Sequence, residues 1–250
     1  MKAKMALAAF LNLLCFAAAS LAQGTIVLYD PLVKSPEVEI SPADEALVKE
    51  KLVPKARSHW NEGDSCDGSD LNIVGAVDGS FTKTGSKQRV IVYELCQTGN
   101  GFANNGFAVI ENGKVVIHIA EAGGWNLEVA KVADLNRNGR DEIVIETGGG
   151  MHQGYYGTSI TIWEFSAPDV IEHGVYLAST NECENHASNK YCDRSYKITA
   201  RPGIDPAFFT QKYVNRGTDE KPRWVASGKV VAAKPIVKDK YTVVKYTVVK

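Results

Sequence analysis

The chain has 250 residues, of which 44% are hydrophobic and 23% charged, and its formal net charge is −1 at pH 7. This length suits one large all-β domain or two small domains with a substantial hydrophobic core. Because the charge is nearly balanced and no dense basic tract is present, we expect no nucleic-acid partner.

The first 22 residues have the features of a secretory signal peptide. Lys2 and Lys4 precede an apolar run over residues 5–19, and Ser20-Leu21-Ala22 places small residues before a cut at Gln23. An uncleaved membrane anchor is the alternative, but the run is short for crossing a bilayer. We therefore predict a secreted or periplasmic protein with no membrane span after cleavage.

Four cysteines remain after cleavage, namely Cys66, Cys96, Cys183 and Cys192. An even number in an oxidising compartment predicts two disulfides, for which three connectivities exist. Pairing Cys66 with Cys96 and Cys183 with Cys192 is favoured, because each bridge would close a local unit. A zinc site is the alternative, but no C-x-x-C spacing is present and no histidine pattern accompanies the cysteines.

Residues 23–60 are predicted to form an extended segment followed by the one convincing helix. Ser41 is a helix N-cap candidate, Pro42 suits the first helical position, and Asp44 and Glu45 lie in the first turn. Pro54 is expected to stop or kink this helix.

Residues 61–235 are predicted to form a β domain, because short β-rich runs alternate with Gly, Asn and Asp. Glu111-Asn112-Gly113 is a strong hairpin signal between two of these runs. Such spacing favours a sandwich, barrel or propeller over βαβ units. Residues 236–250 form a tail in which YTVVK occurs twice, and no function is assigned to it. Strands are expected at 89–95, 106–110, 114–120, 127–132, 142–147, 159–165, 170–177, 196–200, 224–226 and 229–232.

The segment Asp134–Glu142 has the ligand spacing of a calcium loop. With Asp134 as position 1, Asn136 and Asn138 fall at positions 3 and 5, the Arg140 carbonyl at 7 and Glu142 at 9. Gly139 at position 6 permits the tight turn. An EF-hand also needs a glutamate at position 12 and an outgoing helix, whereas a strand-like EIVIET run follows here. An EF-hand is therefore rejected.

This pattern resembles the FG-GAP/VCBS repeat family, in which Asp-x-Asx-x-Asx-Gly-x-x-Asp precedes a short apolar strand. Glu142 replaces the terminal Asp of the family. The resemblance implies a calcium ion that braces the hairpin through Asp134, Asn136, Asn138, Arg140 and Glu142.

A weaker copy of this turn lies upstream, at Gly79–Gly85, with Gly85 preceding Gly139 by 54 residues. Ser80, Thr82 and Thr84 replace the acidic side chains, so this copy is not expected to bind metal well. The spacing suits blade-like repeats. The predicted fold is therefore mainly β, with two or three antiparallel propeller-like blades and one N-terminal helix. An incomplete propeller or a sandwich is as compatible with these repeats as a closed ring.

The predicted calcium affinity is weak, on the order of 10⁻⁴ to 10⁻³ M as in extracellular modules. Only Asp134 and Glu142 supply charged ligands, because Asp141 is expected to point away, and Arg140 adds a nearby positive charge. A metal-free polar turn is the alternative. A bound calcium is expected to be structural rather than catalytic.

The glycine-rich stretch Gly148–Gly157 is the second candidate site. His152, Gln153, Tyr155 and Tyr156 could contact a ligand there, although a plain connection between strands fits the same residues. His118 is expected to pack within a strand, and the other histidines, including His173, are isolated in sequence.

Taken together, these features predict an exported, calcium-braced β domain with a binding or structural role and an unidentified protein or glycan ligand. The alternative is a secreted hydrolase or carbohydrate-active domain that uses the Gly148–Gly157 stretch. No catalytic signature is recognised, so an enzymatic role is left open but not favoured.

Overall fold

The computed structural model describes residues 24–33, 40–58, 71–99, 102–152, 155–166, 169–181, 193–218, 221–236, 242–244 and 247–248. The predicted signal peptide and Cys66, Cys183 and Cys192 lie outside these ranges. The prediction of a mainly β protein with antiparallel sheets and one helical segment is confirmed. Two sheets are present in the described part of the chain, and neither closes into a ring. Across the same residues, no helix has the length and apolarity needed to span a membrane.

The helical segment consists of α1 (Pro42–Leu47), a π-helical turn (Val48–Leu52) and α2 (Val53–Arg57). It begins at the predicted cap, where the Ser41 hydroxyl accepts the Asp44 N–H at 3.1 Å and the Asp44 carboxylate accepts the Ser41 N–H at 3.1 Å. It does not end at Pro54. Proline lacks an N–H, and its ring crowds the preceding turn of a helix. The preceding turn here is the wider π-helical turn, which accommodates the missing hydrogen bond and the ring.

Four of the five strands of the smaller sheet form a meander, namely β2 (Asn72–Gly79), β3 (Gln88–Gly99), β4 (Phe102–Glu111) and β5 (Lys114–Gly123). The hairpin predicted between β4 and β5 is confirmed: Asn112 and Gly113 both have positive φ, at 50° and 72°. Those angles give the turn the twist that antiparallel strands need.

The larger sheet has ten strands. It begins with a second four-stranded meander of β6 (Trp125–Val132), β7 (Glu142–His152), β8 (Tyr155–Ser166) and β9 (Asp169–Asn181). Its other strands outside the tail are β1 (Ile26–Tyr29), β10 (Asp193–Arg201), β11 (Ala207–Asn215), β12 (Trp224–Ala226) and β13 (Val231–Ala232).

The tail contributes one strand to each sheet. The strand β14 (Thr242–Val244) pairs with β9 of the larger sheet, and β15 (Thr247–Val248) pairs with β5 of the smaller one. The strands from the two copies of the YTVVK repeat therefore extend different sheets.

The two sheets pack face to face over a shared apolar core. Val92 and Phe107 of the smaller sheet lie in one cluster with Ile145, Trp163 and Phe165 of the larger sheet. The rings of Phe107 and Trp163 have centroids 4.7 Å apart. The helical segment covers the outer face of the smaller sheet, and β10 and β11 contribute to a further core with β7 and β8. The helical segment, the smaller sheet and the larger sheet therefore form three successive layers.

The loop between β6 and β7 contacts the turn between β2 and β3. These are the two turns that the sequence relates by a spacing of 54 residues, and each joins the first two strands of its meander. Ser80 is hydrogen-bonded to Asp141. A side chain at Gly139 would meet the Thr84 hydroxyl at 2.5 Å, and Gly139 has φ 82°. Only glycine fits this position, because both the backbone angle and the close approach exclude a Cβ.

The stretch Gly148–Gly157 belongs mainly to strands. Gly149 pairs with Gly157 and His152 pairs with Tyr155, so β7 and β8 extend through most of the predicted connection. The antiparallel ladder continues because backbone hydrogen bonds do not depend on the side chains that glycine lacks.

Candidate functional site

The Asp134–Glu142 loop is closed by the side chain at its first position. Asp134 Oδ1 accepts the N–H of Asn138 and Oδ2 accepts the N–H of Gly139, both at 2.8 Å. Asn136 Oδ1 also accepts from the Asn138 N–H, at 3.2 Å. Oxygens from positions 1 and 3 therefore converge inside the turn, and Arg137 takes φ 63° to complete it.

The loop is anchored to the sheet by Glu164 of β8, which is 1% exposed. The side-chain amides of Asn136 and Asn138 donate to Glu164 Oε2 and Oε1 at 2.6 and 2.8 Å. The Arg140 guanidinium also donates to Oε1, and it reaches the Phe165 carbonyl at 3.2 Å. A single buried carboxylate thus accepts hydrogen bonds from three side chains of the loop.

Glu142, at the end of the loop, is fully buried at the first residue of β7. Its Oε2 accepts the N–H of Leu135 at 2.8 Å. None of the described residues donates to its Oε1. A carboxylate oxygen left without a donor in the interior costs free energy, so this atom marks a place where a proton or a cation would be favourable.

His173 of β9 completes the buried cluster through a β-bulge. Ile162 pairs with Gly174 and Trp163 pairs with Glu172, so His173 is the extra residue between the two pairs. Gly174 has φ 134°, and a Cβ there would meet the Tyr176 ring at about 3 Å. The bulge directs the imidazole toward Glu164, whose Oε2 lies 3.1 Å from His173 Nε2.

The ligand atoms of Glu142, Glu164 and His173 all lie within 4.8 Å of one another. Burial and the charges of Glu164 and Asp134 together raise the pKa of Glu142 to about 8, against hydrogen bonds from the Leu135 and Glu142 N–H groups that lower it. Burial also acts to raise the pKa of Glu164, but the hydrogen bond from His173 and the charge of Arg140 lower it overall. The pKa values of these two neighbouring carboxylates are therefore shifted in opposite directions, and Glu142 takes up a proton more readily than Glu164.

The calcium ligands predicted from sequence fit this loop in part. Asp134, Asn136 and Glu142 present oxygens to its interior. Among the residues that the structure describes, each accepts only backbone donors, which leaves lone pairs for a cation. Asn138 Oδ1 accepts the Arg140 N–H at 2.9 Å. Asp141 turns away, as expected, and accepts the Ser80 N–H.

Sequence reasoning missed Glu164 and His173. Glu164 shares strand parity with Ile160 and Ile162, both fully buried, so a charged residue on an apolar face was the available signal. For His173 the signal was the following glycine within a strand, which indicates a bulge. Neither residue is near the loop in sequence, and only the pairing of β7, β8 and β9 brings them together.

The second predicted site, at Gly148–Gly157, stays a prediction. Gln153 and the side chains of His152, Tyr155 and Tyr156 lie outside the described residues. A cleft of about 630 Å³ lies beside the two contacting turns, lined in part by Asp78, Ser80, Lys87, Arg89, Lys131 and Asp141. Arg89 is already paired with Asp44 and Asp78. The hydrolase alternative, which uses the Gly148–Gly157 stretch, stays a prediction as well.

Cys96 is buried on β3, whereas its predicted partner and the other two cysteines lie outside the described residues. The disulfide pairing stays a prediction. Comparison of the chain with protein-family models, curated proteins and solved structures gives no match. The FG-GAP/VCBS resemblance accordingly rests on the loop residues alone.

Proposed function

We propose that this chain is an exported β domain with a binding or structural role, in which a divalent cation, calcium in the first instance, braces the Asp134–Glu142 loop. The two four-stranded meanders would correspond to the propeller-like blades of the FG-GAP/VCBS type. The cation would join the loop to the strands beneath it, so that both sheets are held at the contact between their first turns.

The observation that carries the proposal is the buried Oε1 of Glu142, which no described residue satisfies. Three acidic side chains, Asp134, Glu142 and Glu164, approach one another at the loop, and among the described residues the Arg140 guanidinium forms an ion pair with Glu164. A divalent cation would balance the remaining negative charge. A purely structural polar turn would not need an unpaired carboxylate oxygen at its base.

Thermal unfolding of the mature protein with calcium and with chelator tests the proposal. Because the predicted affinity is weak, calcium should be raised into the millimolar range. We expect the midpoint to rise with calcium in the wild type and to respond little in Asp134→Ala. Asp205→Ala is a suitable control, because Asp205 lies in a different loop, between β10 and β11.

No stabilisation by millimolar calcium, or an unchanged response in Asp134→Ala, would contradict the calcium brace. Export is tested separately, by N-terminal sequencing of the protein recovered from the periplasm or the medium. A mature chain that begins at Gln23 supports it, and retention of residues 1–22 in the recovered protein contradicts it.

A further inference from the structure

We propose that Glu142, Glu164 and His173 form a binding site for a borderline first-row divalent cation such as Zn²⁺, distinct in its ligand set from the calcium loop. The inference rests on the proposed function in one respect, since both place a cation at Glu142. The inference goes beyond the proposed function because it assigns two further ligands, on β8 and β9, and a different class of metal.

The ligand chemistry distinguishes the two metals. Calcium binds oxygen, whereas an imidazole nitrogen combined with carboxylates suits zinc and its neighbours in the first transition row. His173 is 3% exposed and Glu142 and Glu164 are 0% and 1% exposed, so all three are withdrawn from water. One histidine and two glutamates would leave a fourth position of a tetrahedral site for another ligand.

The spacing of the three ligand atoms is close to what a small cation requires. Bonds of about 2.0–2.2 Å to a tetrahedral zinc place ligand atoms roughly 3.4 Å apart. His173 Nε2 and Glu164 Oε2 are already 3.1 Å apart, and all three ligand atoms lie within 4.8 Å of one another. Small side-chain rotations would therefore close the site without moving a strand.

The unsatisfied oxygen of Glu142 points to a ligand independently of the cluster itself. Its other oxygen is fixed by the Leu135 N–H, so Oε1 is the atom available to a cation. On Glu164 the two oxygens are also divided: Oε1 faces Arg140 and Asn138, whereas Oε2 faces His173 and Asn136. Metal binding at Oε2 would leave the Arg140 contact in place.

The β-bulge gives this site its rigidity. His173 reaches Glu164 only because the bulge and the positive φ of Gly174 turn it out of the regular alternation. Metal ligands held on three adjacent strands, rather than on loops, need little reordering on binding.

The test uses the untagged, oxidised mature protein, freed of metal by chelator and dialysis, with Zn²⁺ alone as the probe. At a hundredfold excess over Kd, the unfolding midpoint should rise by about 5–10 °C for a domain of this size. Calorimetric titration should give one site per chain. His173→Gln should weaken zinc binding by more than the roughly 10- to 100-fold that is typical for the loss of a group supporting a ligand.

His118→Gln is the matched control, since His118 is an equally buried histidine outside the cluster. It should bind zinc like the wild type. Asp134→Asn should lose the response to calcium while keeping the response to zinc. Should His173→Gln fail to fold, the imidazole ¹⁵N resonances of the wild-type protein are compared with and without zinc, and Nε2 of His173 should shift to a metal-bound value.

The outcomes separate the two proposals. Calcium stabilisation that depends on Asp134, with no zinc binding, would overturn the zinc site and leave the calcium brace standing. Zinc binding unchanged in His173→Gln, or equally lost in His118→Gln, would also overturn it. No response to either metal would overturn both proposals.

Discussion

Asp141 and Ser80 form a reciprocal pair of hydrogen bonds between the two related turns. The Asp141 N–H donates to the Ser80 carbonyl at 2.8 Å, and the Ser80 N–H donates to Asp141 Oδ2 at 2.8 Å. The Thr84 hydroxyl adds a longer contact of 3.5 Å to the Asn138 carbonyl. The turn between β2 and β3, which lacks acidic side chains, is thus hydrogen-bonded to the acidic loop between β6 and β7.

Asp141→Ala should destabilise the protein by about 1–3 kcal/mol, because the Ser80 N–H loses a charged acceptor and is left part-buried. Asp141→Asn keeps an acceptor oxygen and should cost less than half as much. Urea unfolding at pH 7 measures both. Equal effects of the two substitutions would argue against a hydrogen bond as the source of the stability.

Glu164→Gln should reduce the free energy of unfolding by about 2–3 kcal/mol in the metal-free protein, since Arg140 would lose its partner and three further donors would lose a charged acceptor. The matched control is Glu111→Gln, because Glu111 forms one ion pair, with the largely exposed Lys83. Its effect should stay within about 1 kcal/mol.

A result in which Glu164→Gln is no more destabilising than Glu111→Gln would contradict the role of Glu164 as the anchor of the loop. Hydrogen exchange would show where the effect lies. Amides of Asn138 and Gly139 should exchange faster in Glu164→Gln, whereas amides in β3 and β4 should not.

The protein should lose stability at acid pH because the buried imidazole of His118 resists protonation in the folded state. Burial and the charge of Lys55 lower the pKa of His118 to about 4, and its Nε2 lies 2.6 Å from the Tyr93 hydroxyl. With an unfolded-state pKa near 6.5, the unfolded chain binds more protons between pH 4 and 6.5. This group's contribution is therefore complete above pH 6.5 and falls by about 3 kcal/mol as the pH is lowered to 4.

The measurement is the difference in unfolding free energy between wild type and His118→Gln across pH 4.5–7. Taking the difference removes the contributions of the other ionisable groups, which the two proteins share. The wild type should lose more stability than the variant as the pH falls. Parallel pH profiles for the two proteins would rule out titration of His118 as the cause.

Much of the fold can be predicted from local sequence signals, whereas the full set of site residues cannot. The Asn112-Gly113 turn and the Ser41 cap are set by neighbouring residues, so their prediction needed no knowledge of distant contacts. The loop's own residues were identified for the same reason. Glu164 and His173 reach the loop only through the register of β7 with β8 and β8 with β9, which local patterns do not specify.

The helix shows a different limit of sequence reasoning. Of the two effects expected at Pro54, a stop or a kink, the stop does not occur, because the segment continues to Arg57 after a π-helical turn. Val48, Leu52, Val53 and Ala56 are all buried against the smaller sheet. Burial of this apolar face favours continuing the helix over ending it, which a local rule for proline does not include.

The disulfide prediction is tested by mass spectrometry of unreduced peptides. Bridges are expected between Cys66 and Cys96 and between Cys183 and Cys192, because each would close a short stretch of chain in an oxidising compartment. A crossed connectivity would contradict the pairing, and four free thiols would contradict oxidation itself.

The most direct test of the cation brace is the metal content of the protein as it is recovered from the periplasm or medium, without chelator or affinity tag. Elemental analysis should find about one divalent cation per chain in the wild type, and far less in Glu142→Gln, which keeps the size of the side chain but loses its charge. Removing that metal should lower the unfolding midpoint of the wild type and not of the variant. Wild-type protein without bound divalent metal, and with a midpoint that neither added calcium nor zinc changes, would contradict the account.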